Sequence, residues 1–182
     1  MEHKAFFYGT LMAPPVLCRI IRGPPSSSTT NDIASLRVRP AILHAYKRHR
    51  VKNKKYPAIL PGDMHSSVQG MLVEGLTATD IWRLDLYEGP EYTREKVSVS
   101  LVRGESDGTP PLHSHNMLNW EGEVEANAYV WTDDADKLEP GEWDLADFIR
   151  EEMEWWVGRE AAGMHEGFQG RASINGTFSK TS

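Results

Sequence analysis

A glutamate near the end of a predicted helix is the side chain best suited to acid/base chemistry. Ile81, Leu84 and Glu88 are spaced i, i+3 and i+7, so on a helix the carboxylate shares a face with apolar residues that dock into the core. A buried carboxyl group needs partners or a proton, and burial raises its pKa toward neutrality. A general acid/base needs this property. The spacing makes Glu88 a candidate catalytic residue.

Structural roles for Glu88 and its neighbours stay open at this point. A glutamate in a last helical turn can fray outward, or it can bond the Tyr92 hydroxyl or the Arg94 guanidinium as a buried anchor. Tyr92 and Arg94 could orient Glu88, contact a substrate, or form a structural pair on a strand. Asp85 lies on another helical face, where we expect it to be solvated or to tie the helix to a neighbouring loop.

A second candidate feature is a strand that ends in glycine. The segment from Tyr8 to Ala13 reads Tyr-Gly-Thr-Leu-Met-Ala and follows the apolar pair Phe6-Phe7. A glycine at a strand end lets backbone N–H groups converge on an anionic or carbonyl oxygen. Many strands end in glycine, so this feature indicates a binding site only in combination with Glu88.

The surrounding pattern predicts the elements that position these residues. Thr77 and Asp80 resemble a capping box that opens a helix over 78–87, and Gly89 stops it. We predict strands over 6–11, 41–51, 56–61, 68–74, 97–102 and 124–131, and further helices over 16–21 and 143–159. The strand 56–61 is predicted at a sheet edge. The strand 68–74 is predicted to pack on both faces for most of its length and to end at Gly75. Residues 23–32 and 104–123 are predicted surface loops.

Together these elements predict an α+β fold in which several strands curl together and helices pack outside. A length of 182 residues, 40% of them hydrophobic, fits one domain. We assign that domain to residues 1–165 and a polar C-terminal tail to residues 166–182. We expect a monomer or a weak homodimer.

Composition excludes several function classes. A net charge of -6 argues against nucleic acid as the main partner, and no apolar run is long enough to span a membrane, so we expect a cytoplasmic protein. Cys18 is the sole cysteine and is predicted to be a buried hydrophobe. His113 and His115 lack an evident third ligand, so we expect no metal. The basic segment 47–55 could attract an anionic substrate or simply be a solvated strand end.

Several motifs in order resemble one known family. They are the segments 7–12 (Phe-Tyr-Gly-Thr-Leu-Met), 56–61 (Tyr-Pro-Ala-Ile-Leu-Pro), 68–72 (Val-Gln-Gly-Met-Leu), 84–89 (Leu-Asp-Leu-Tyr-Glu-Gly), 91–94 (Glu-Tyr-Thr-Arg), 128–131 (Ala-Tyr-Val-Trp) and 141–144 (Gly-Glu-Trp-Asp). The sequence thereby resembles the γ-glutamylcyclotransferase-like proteins, most closely the avirulence-induced-gene-type (AIG2-like) branch described in plants. The likeness covers roughly the first 160 residues.

The resemblance implies a fold, a reaction and a set of site residues. It implies a small mixed-strand β-barrel with flanking helices, and cyclisation of a γ-glutamyl amide to 5-oxoproline without a cofactor. By motif position Glu88 becomes the catalytic proton acceptor. The implied substrate-binding residues are Tyr8, Gly9, Thr10, Leu11, Met12 and Ala13, with Tyr92 and Arg94 as further candidates.

Two other functions remain compatible with the sequence. The fold could serve a different γ-glutamyl-processing step, with the loop 104–123 reshaping the site. It could also be a non-catalytic small-molecule-binding or stress-response module, because a fold alone licenses no activity.

Overall fold

The structure is a computed structural model that describes residues 2–23, 35–102, 120–141 and 143–151. In chain order the strands are β1 (His3–Phe7), β2 (Arg37–His44), β3 (Tyr46–Val51), β4 (Pro57–Pro61), β5 (Ser67–Leu76), β6 (Tyr92–Val102), β7 (Trp120–Trp131) and β8 (Leu138–Glu139). The helices are α1 (Pro14–Arg22), α2 (Ala78–Glu88) and α3, which is described over residues 145–151. Within these ranges, no helix is long and apolar enough to cross a membrane.

Five strands close into a barrel in the order β1-β5-β2-β6-β7. Neighbouring strands run antiparallel, except that β1 meets β7 in parallel and closes the ring. The predicted α+β fold with a small mixed-strand barrel and flanking helices is confirmed. The prediction that β5 packs on both faces is wrong for its first half, where exposed and buried residues alternate from Ser67 to Gly70.

The segment 41–51, predicted as one strand, is two strands in two different sheets. Ala45 separates them with a φ of 59°, a left-handed conformation that is uncommon outside glycine. β2 stays in the barrel, whereas β3 lies at the centre of a second sheet ordered β4-β3-β8. The edge position predicted for residues 56–61 is confirmed by β4.

Two apolar clusters explain how the layers hold together. The cluster inside the barrel takes residues from all five barrel strands: Phe6, Tyr8, Ala41, Leu43, Ile59, Val68, Leu72, Val97, Val99, Leu101, Ala126, Ala128 and Val130. The other cluster joins the outer barrel wall to α1 and α2 through residues such as Phe7, Ile20 and Leu84. Because side chains alternate along a strand, β1 contributes to both clusters through Phe6 and Phe7.

A partly buried carboxylate joins three barrel strands next to the β1–β5 seam. Glu74 on β5 forms ion pairs with Lys4 on β1 (3.0 Å) and Arg39 on β2 (2.8 Å). Burial acts to raise the pKa of Glu74, but hydrogen bonds and charges from the two cations outweigh it and lower the pKa below 4.5. The carboxylate is therefore more stable in the folded barrel than in the unfolded chain.

Helix α2 begins where the sequence predicts and ends one residue later than predicted, at Glu88, and this fixes the position of that residue. The Thr77 hydroxyl accepts from the Asp80 amide (3.1 Å), and the Asp80 carboxylate accepts from the Thr77 amide (2.9 Å), which completes the capping box. Asp80 is 1% exposed and also pairs with Arg22 of α1 at 3.0 Å. Gly89 ends the helix with a φ of 73°, which suits glycine.

Some predicted segments lie outside the described residues. These are the loop 23–32 from residue 24 on, most of the loop 104–123, the end of the helix 143–159 and the whole tail 166–182. His113 and His115 belong to this part of the chain. The division at residue 165 therefore stays a prediction.

Candidate functional site

A small cavity lies at the end of β1, between the barrel and the last turn of α2. Its wall is formed by Phe6, Phe7, Tyr8, Gly9, Thr10, Leu11, Pro57, Glu88 and Tyr129. The cavity has a volume of about 10 Å³. This is roughly the space that one water molecule needs. A larger ligand must therefore remain partly in the mouth of the cavity or displace wall side chains.

The segment after β1 forms a short 3-10 turn that brings backbone donors to the cavity. The turn spans Thr10–Met12, and Gly9 is its N-terminal cap. The Met12 amide donates to the Gly9 carbonyl at 2.9 Å, and the Ala13 amide donates to the Thr10 carbonyl at 3.1 Å. The first amides of a helical turn have no acceptor within the turn, so those of Thr10 and Leu11 are the donors best placed for an anionic group.

These bonds divide the predicted loop residues into two groups. Tyr8, Gly9, Thr10 and Leu11 lie on the cavity wall, whereas Met12 and Ala13 do not line it. The amides of Met12 and Ala13 already stabilise the turn. Within this loop, the first four residues therefore line the cavity, and ligand binding by any of the six stays a prediction.

Glu88 lines the same cavity as this turn. Its side chain is 5% exposed, and Ile81 (4%) and Leu84 (0%) are buried on the same helical face. The predicted inward phase of Glu88 is confirmed, and the outward-fraying alternative is wrong. A glutamate, backbone N–H groups and apolar carbon atoms thus share one cavity. This combination can exchange a proton and stabilise an oxyanion beside it.

Tyr129 on β7 is a polar group of the site that the sequence analysis did not single out. Its hydroxyl donates to the Asp85 carboxylate at 2.8 Å, and the same oxygen of Asp85 pairs with Nε of Arg94 at 3.0 Å. Burial raises the pKa of Tyr129, and the hydrogen bond to Asp85 with the negative charges of Asp85 and Glu88 raises it further, against the smaller effect of Arg94. The hydroxyl therefore remains protonated at neutral pH.

The contacts of Asp85 and Arg94 explain roles that the sequence left open. Asp85 does tie α2 to the rest of the fold, but its partners are a tyrosine hydroxyl and a guanidinium rather than backbone amides of a loop. The Arg94 side chain is 35% exposed and does not line the cavity. Arg94 thus reaches the cavity only indirectly, through Asp85 and Tyr129.

Tyr92 also lies behind the cavity wall rather than on it. Its hydroxyl donates to the Pro57 carbonyl at 3.0 Å, and its ring meets Trp131 edge-on at a centroid distance of 5.1 Å. Tyr92 therefore fixes Pro57, which is itself a wall residue. A direct contact of Tyr92 or Arg94 with a substrate stays a prediction.

The basic segment 47–55 lies on β3 and the turn after it, and its residues do not line the cavity. Arg48 donates to the Gln69 carbonyl at 2.6 Å, and Lys52 donates to the Asp136 carbonyl at 2.5 Å. Arg50 and Lys55 form ion pairs with carboxylates at 3.7 and 3.8 Å. These contacts favour the structural interpretation of the segment over a rim for an anionic substrate.

The sequence matches one family of known proteins. The family model described as gamma-glutamyl cyclotransferase, AIG2-like, matches residues 5–145, which include every wall residue of the cavity. The chain belongs to this family. Among its relatives in Arabidopsis thaliana, Protein AIG2 C is 30% identical over 81% of this chain and 72% of its own length. Protein AIG2 B is 26% identical over 86% of this chain and 76% of its own length.

Solved structures show the same fold for members and neighbours of the family. A solution structure of an Arabidopsis thaliana protein superposes with a TM-score of 0.51 and 24% identity over 87% of both chains. A structure described as a gamma-glutamyl cyclotransferase superposes with a TM-score of 0.50 and 12% identity over 96% of both chains. At these identities the similarity shows the fold alone, and a fold does not determine the chemistry of this AIG2-like chain.

Proposed function

We propose that this AIG2-like protein is a γ-glutamylcyclotransferase. In the proposed reaction the α-amine of a γ-glutamyl group attacks its own side-chain carbonyl, which yields 5-oxoproline and releases an amine or an amino acid. The observation that carries the proposal is that the buried Glu88 and the first two residues of the Thr10–Met12 turn, Thr10 and Leu11, line the same cavity.

Glu88 acts as the base and then as the acid. It takes a proton from the α-ammonium of the substrate, and the freed nitrogen forms a C–N bond with the side-chain carbonyl carbon. The amides of Thr10 and Leu11 donate hydrogen bonds to the oxygen that becomes negative in the tetrahedral intermediate. The bond to the leaving nitrogen then breaks as Glu88 returns its proton to that nitrogen. After the attack the ring nitrogen is still protonated, and it gives its second proton to the regenerated Glu88 carboxylate. This proton then passes to the released amine, which leaves as an ammonium, so protons and charge balance. No electrons are transferred, and these steps require no cofactor.

Tyr129 helps to recognise the α-ammonium before the reaction. Its hydroxyl hydrogen points to Asp85, so the oxygen offers its lone pairs to other donors. An ammonium is a donor without acceptor capacity, and the negative charges of Glu88 and Asp85 favour a cation at this position. A γ-glutamyl compound whose α-amine is acylated lacks that charge, so we expect it to be a poor ligand.

The test is the release of 5-oxoproline from a panel of γ-glutamyl amino acids, γ-glutamyl amines and glutathione. We expect turnover with at least one compound, and a loss of roughly 100-fold or more in Glu88→Gln, which keeps the shape but not the base. The matched control is Glu139→Gln, because Glu139 lies on β8, is 42% exposed and does not line the cavity. Glu139→Gln is expected to keep wild-type rates.

The same panel separates the alternatives. A non-catalytic binding module shows a rise in melting temperature with a γ-glutamyl compound but releases no product. A different γ-glutamyl-processing step consumes a compound and yields a product other than 5-oxoproline. Wild-type rates in Glu88→Gln contradict the mechanism even if the reaction is found.

A further inference from the structure

A hydrogen bond between two buried hydroxyls links the two halves of the site. The Tyr87 hydroxyl lies 3.2 Å from Oγ1 of Thr10, across 77 positions of sequence. Tyr87 is 3% exposed and Thr10 is 2% exposed, so the bond is shielded from water. A buried hydroxyl without a partner is costly, and each residue gives the other a partner here.

Each end of this bond is next to a group that the proposed reaction uses. Tyr87 directly precedes Glu88 in the last turn of α2, and both residues lie beside Leu84 on the buried helical face at i+3 and i+4. Thr10 begins the 3-10 turn and carries one of its N-terminal amides. The bond therefore connects the helical turn that carries Glu88 with the turn that carries the Thr10 and Leu11 amides.

The last turn of a helix needs such a restraint more than its middle does. The final carbonyls of a helix have no partner within the helix, and helix ends fray. The sequence Glu88-Gly89 adds a flexible glycine directly after the acid/base. A side-chain bond to the β1 turn limits how far this helical turn can drift from the amides.

We propose that Tyr87 is a positioning residue that sets the separation between Glu88 and the amides of the Thr10–Met12 turn through its bond to Thr10. The inference rests on the proposed function for its catalytic consequence. The bond itself is a property of the folded protein, with or without turnover. A displacement of about 1 Å at a reacting group can reduce a rate by up to about 100-fold, so this restraint bears directly on kcat.

Matched variants separate the hydroxyl contact from core packing. Tyr87→Phe keeps the ring, Thr10→Val keeps the shape without the hydroxyl, and Thr10→Ser keeps the hydroxyl. We expect kcat to fall roughly tenfold in Tyr87→Phe and in Thr10→Val, with KM changed less than about twofold. When the two substitutions are combined, we expect no further fall in kcat. Thr10→Ser is expected to retain most of the wild-type kcat. The control Tyr56→Phe removes a hydroxyl contact to Glu91 at 3.3 Å, away from the cavity, and is expected to leave kcat unchanged.

Hydrogen exchange at the backbone amides of residues 9–12 gives a second readout that does not need turnover. We expect exchange there to quicken roughly tenfold in Tyr87→Phe and to stay at the wild-type rate in Tyr56→Phe. Unchanged exchange in Tyr87→Phe overturns the inference, and so does unchanged kcat in an active protein. If the wild type releases no 5-oxoproline from any compound of the panel, the proposed function fails, and the exchange rates alone then decide whether the bond holds the turn.

Discussion

Replacing Gly9 by alanine tests whether the turn after β1 must approach Pro57 as closely as the structure shows. An alanine Cβ at this position would lie 2.8 Å from both Cγ and Cδ of Pro57. Non-bonded carbon atoms prefer separations of about 3.5–4.0 Å, so the turn or the proline ring must shift by about 0.7–1.2 Å. Such a shift at a reacting group costs up to about 100-fold in rate, and overpacking costs about 1–3 kcal/mol of stability.

We therefore expect Gly9→Ala to fold with reduced stability in urea and to lose roughly 10- to 100-fold in kcat/KM for 5-oxoproline release. Gly62→Ala is the control, because it adds the same methyl group at 3.1 Å from the Ser66 Cβ and Gly62 is not a wall residue. Pro57→Ala combined with Gly9→Ala removes the ring that causes the clash, so the double variant is expected to recover part of the loss. Full activity in Gly9→Ala, or strictly additive losses in the double variant, would refute this reasoning.

Three further changes address the tyrosine, the barrel and the helix. Tyr129→Phe is expected to lower kcat/KM roughly tenfold and the unfolding free energy by about 1–2 kcal/mol, because Asp85 loses a hydrogen bond. Unchanged kinetics contradict the role of Tyr129 in ammonium recognition. Glu74 has a lowered pKa, so its contribution to stability is present above pH 4.5 and is lost as the pH falls through its folded-state pKa. Urea unfolding should therefore show that the stability of Glu74→Gln falls less steeply below pH 4.5 than that of the wild type. An equally steep fall of the unfolding free energy with pH in both proteins counts against this role of Glu74. Asp80→Ala removes the carboxylate half of the capping box of α2 and leaves Arg22 without its carboxylate. Thermal or urea unfolding is expected to show a loss of about 3 kcal/mol, whereas less than about 1 kcal/mol contradicts the pairing.

Local sequence signals were sufficient to place Glu88. The capping box at Thr77, the i, i+3, i+7 spacing and the stop at Gly89 are all short-range features, and each corresponds to what the structure shows. A helix with well-defined ends has a fixed phase, so the inward direction of one side chain follows from its position. This is why the position of Glu88 in the candidate site was predictable.

The contribution of Tyr129 depends on contacts that no local pattern encodes. Alternation along β7 predicts that Tyr129 points away from Val130, but only the β6–β7 register and the packing of α2 bring its hydroxyl to Asp85. Position 45 is likewise an alanine rather than the glycine or asparagine that usually adopts a left-handed conformation. The break between β2 and β3 therefore has no local signal in the sequence. The signals available for Tyr129 were its place in the motif 128–131 and its strand position on the face opposite Val130.

The placement of Glu88 at a helix end combines two requirements that usually conflict. Burial on the apolar face of α2 removes the carboxyl group from water, as acid/base chemistry at neutral pH favours. A position in the last turn lets the side chain face the β1 turn instead of the middle of the core. Helical geometry makes this arrangement sensitive to register, since one inserted residue in α2 would rotate Glu88 by about 100°. The capping box at one end and Gly89 at the other are therefore as much a part of the site as the residues that line it.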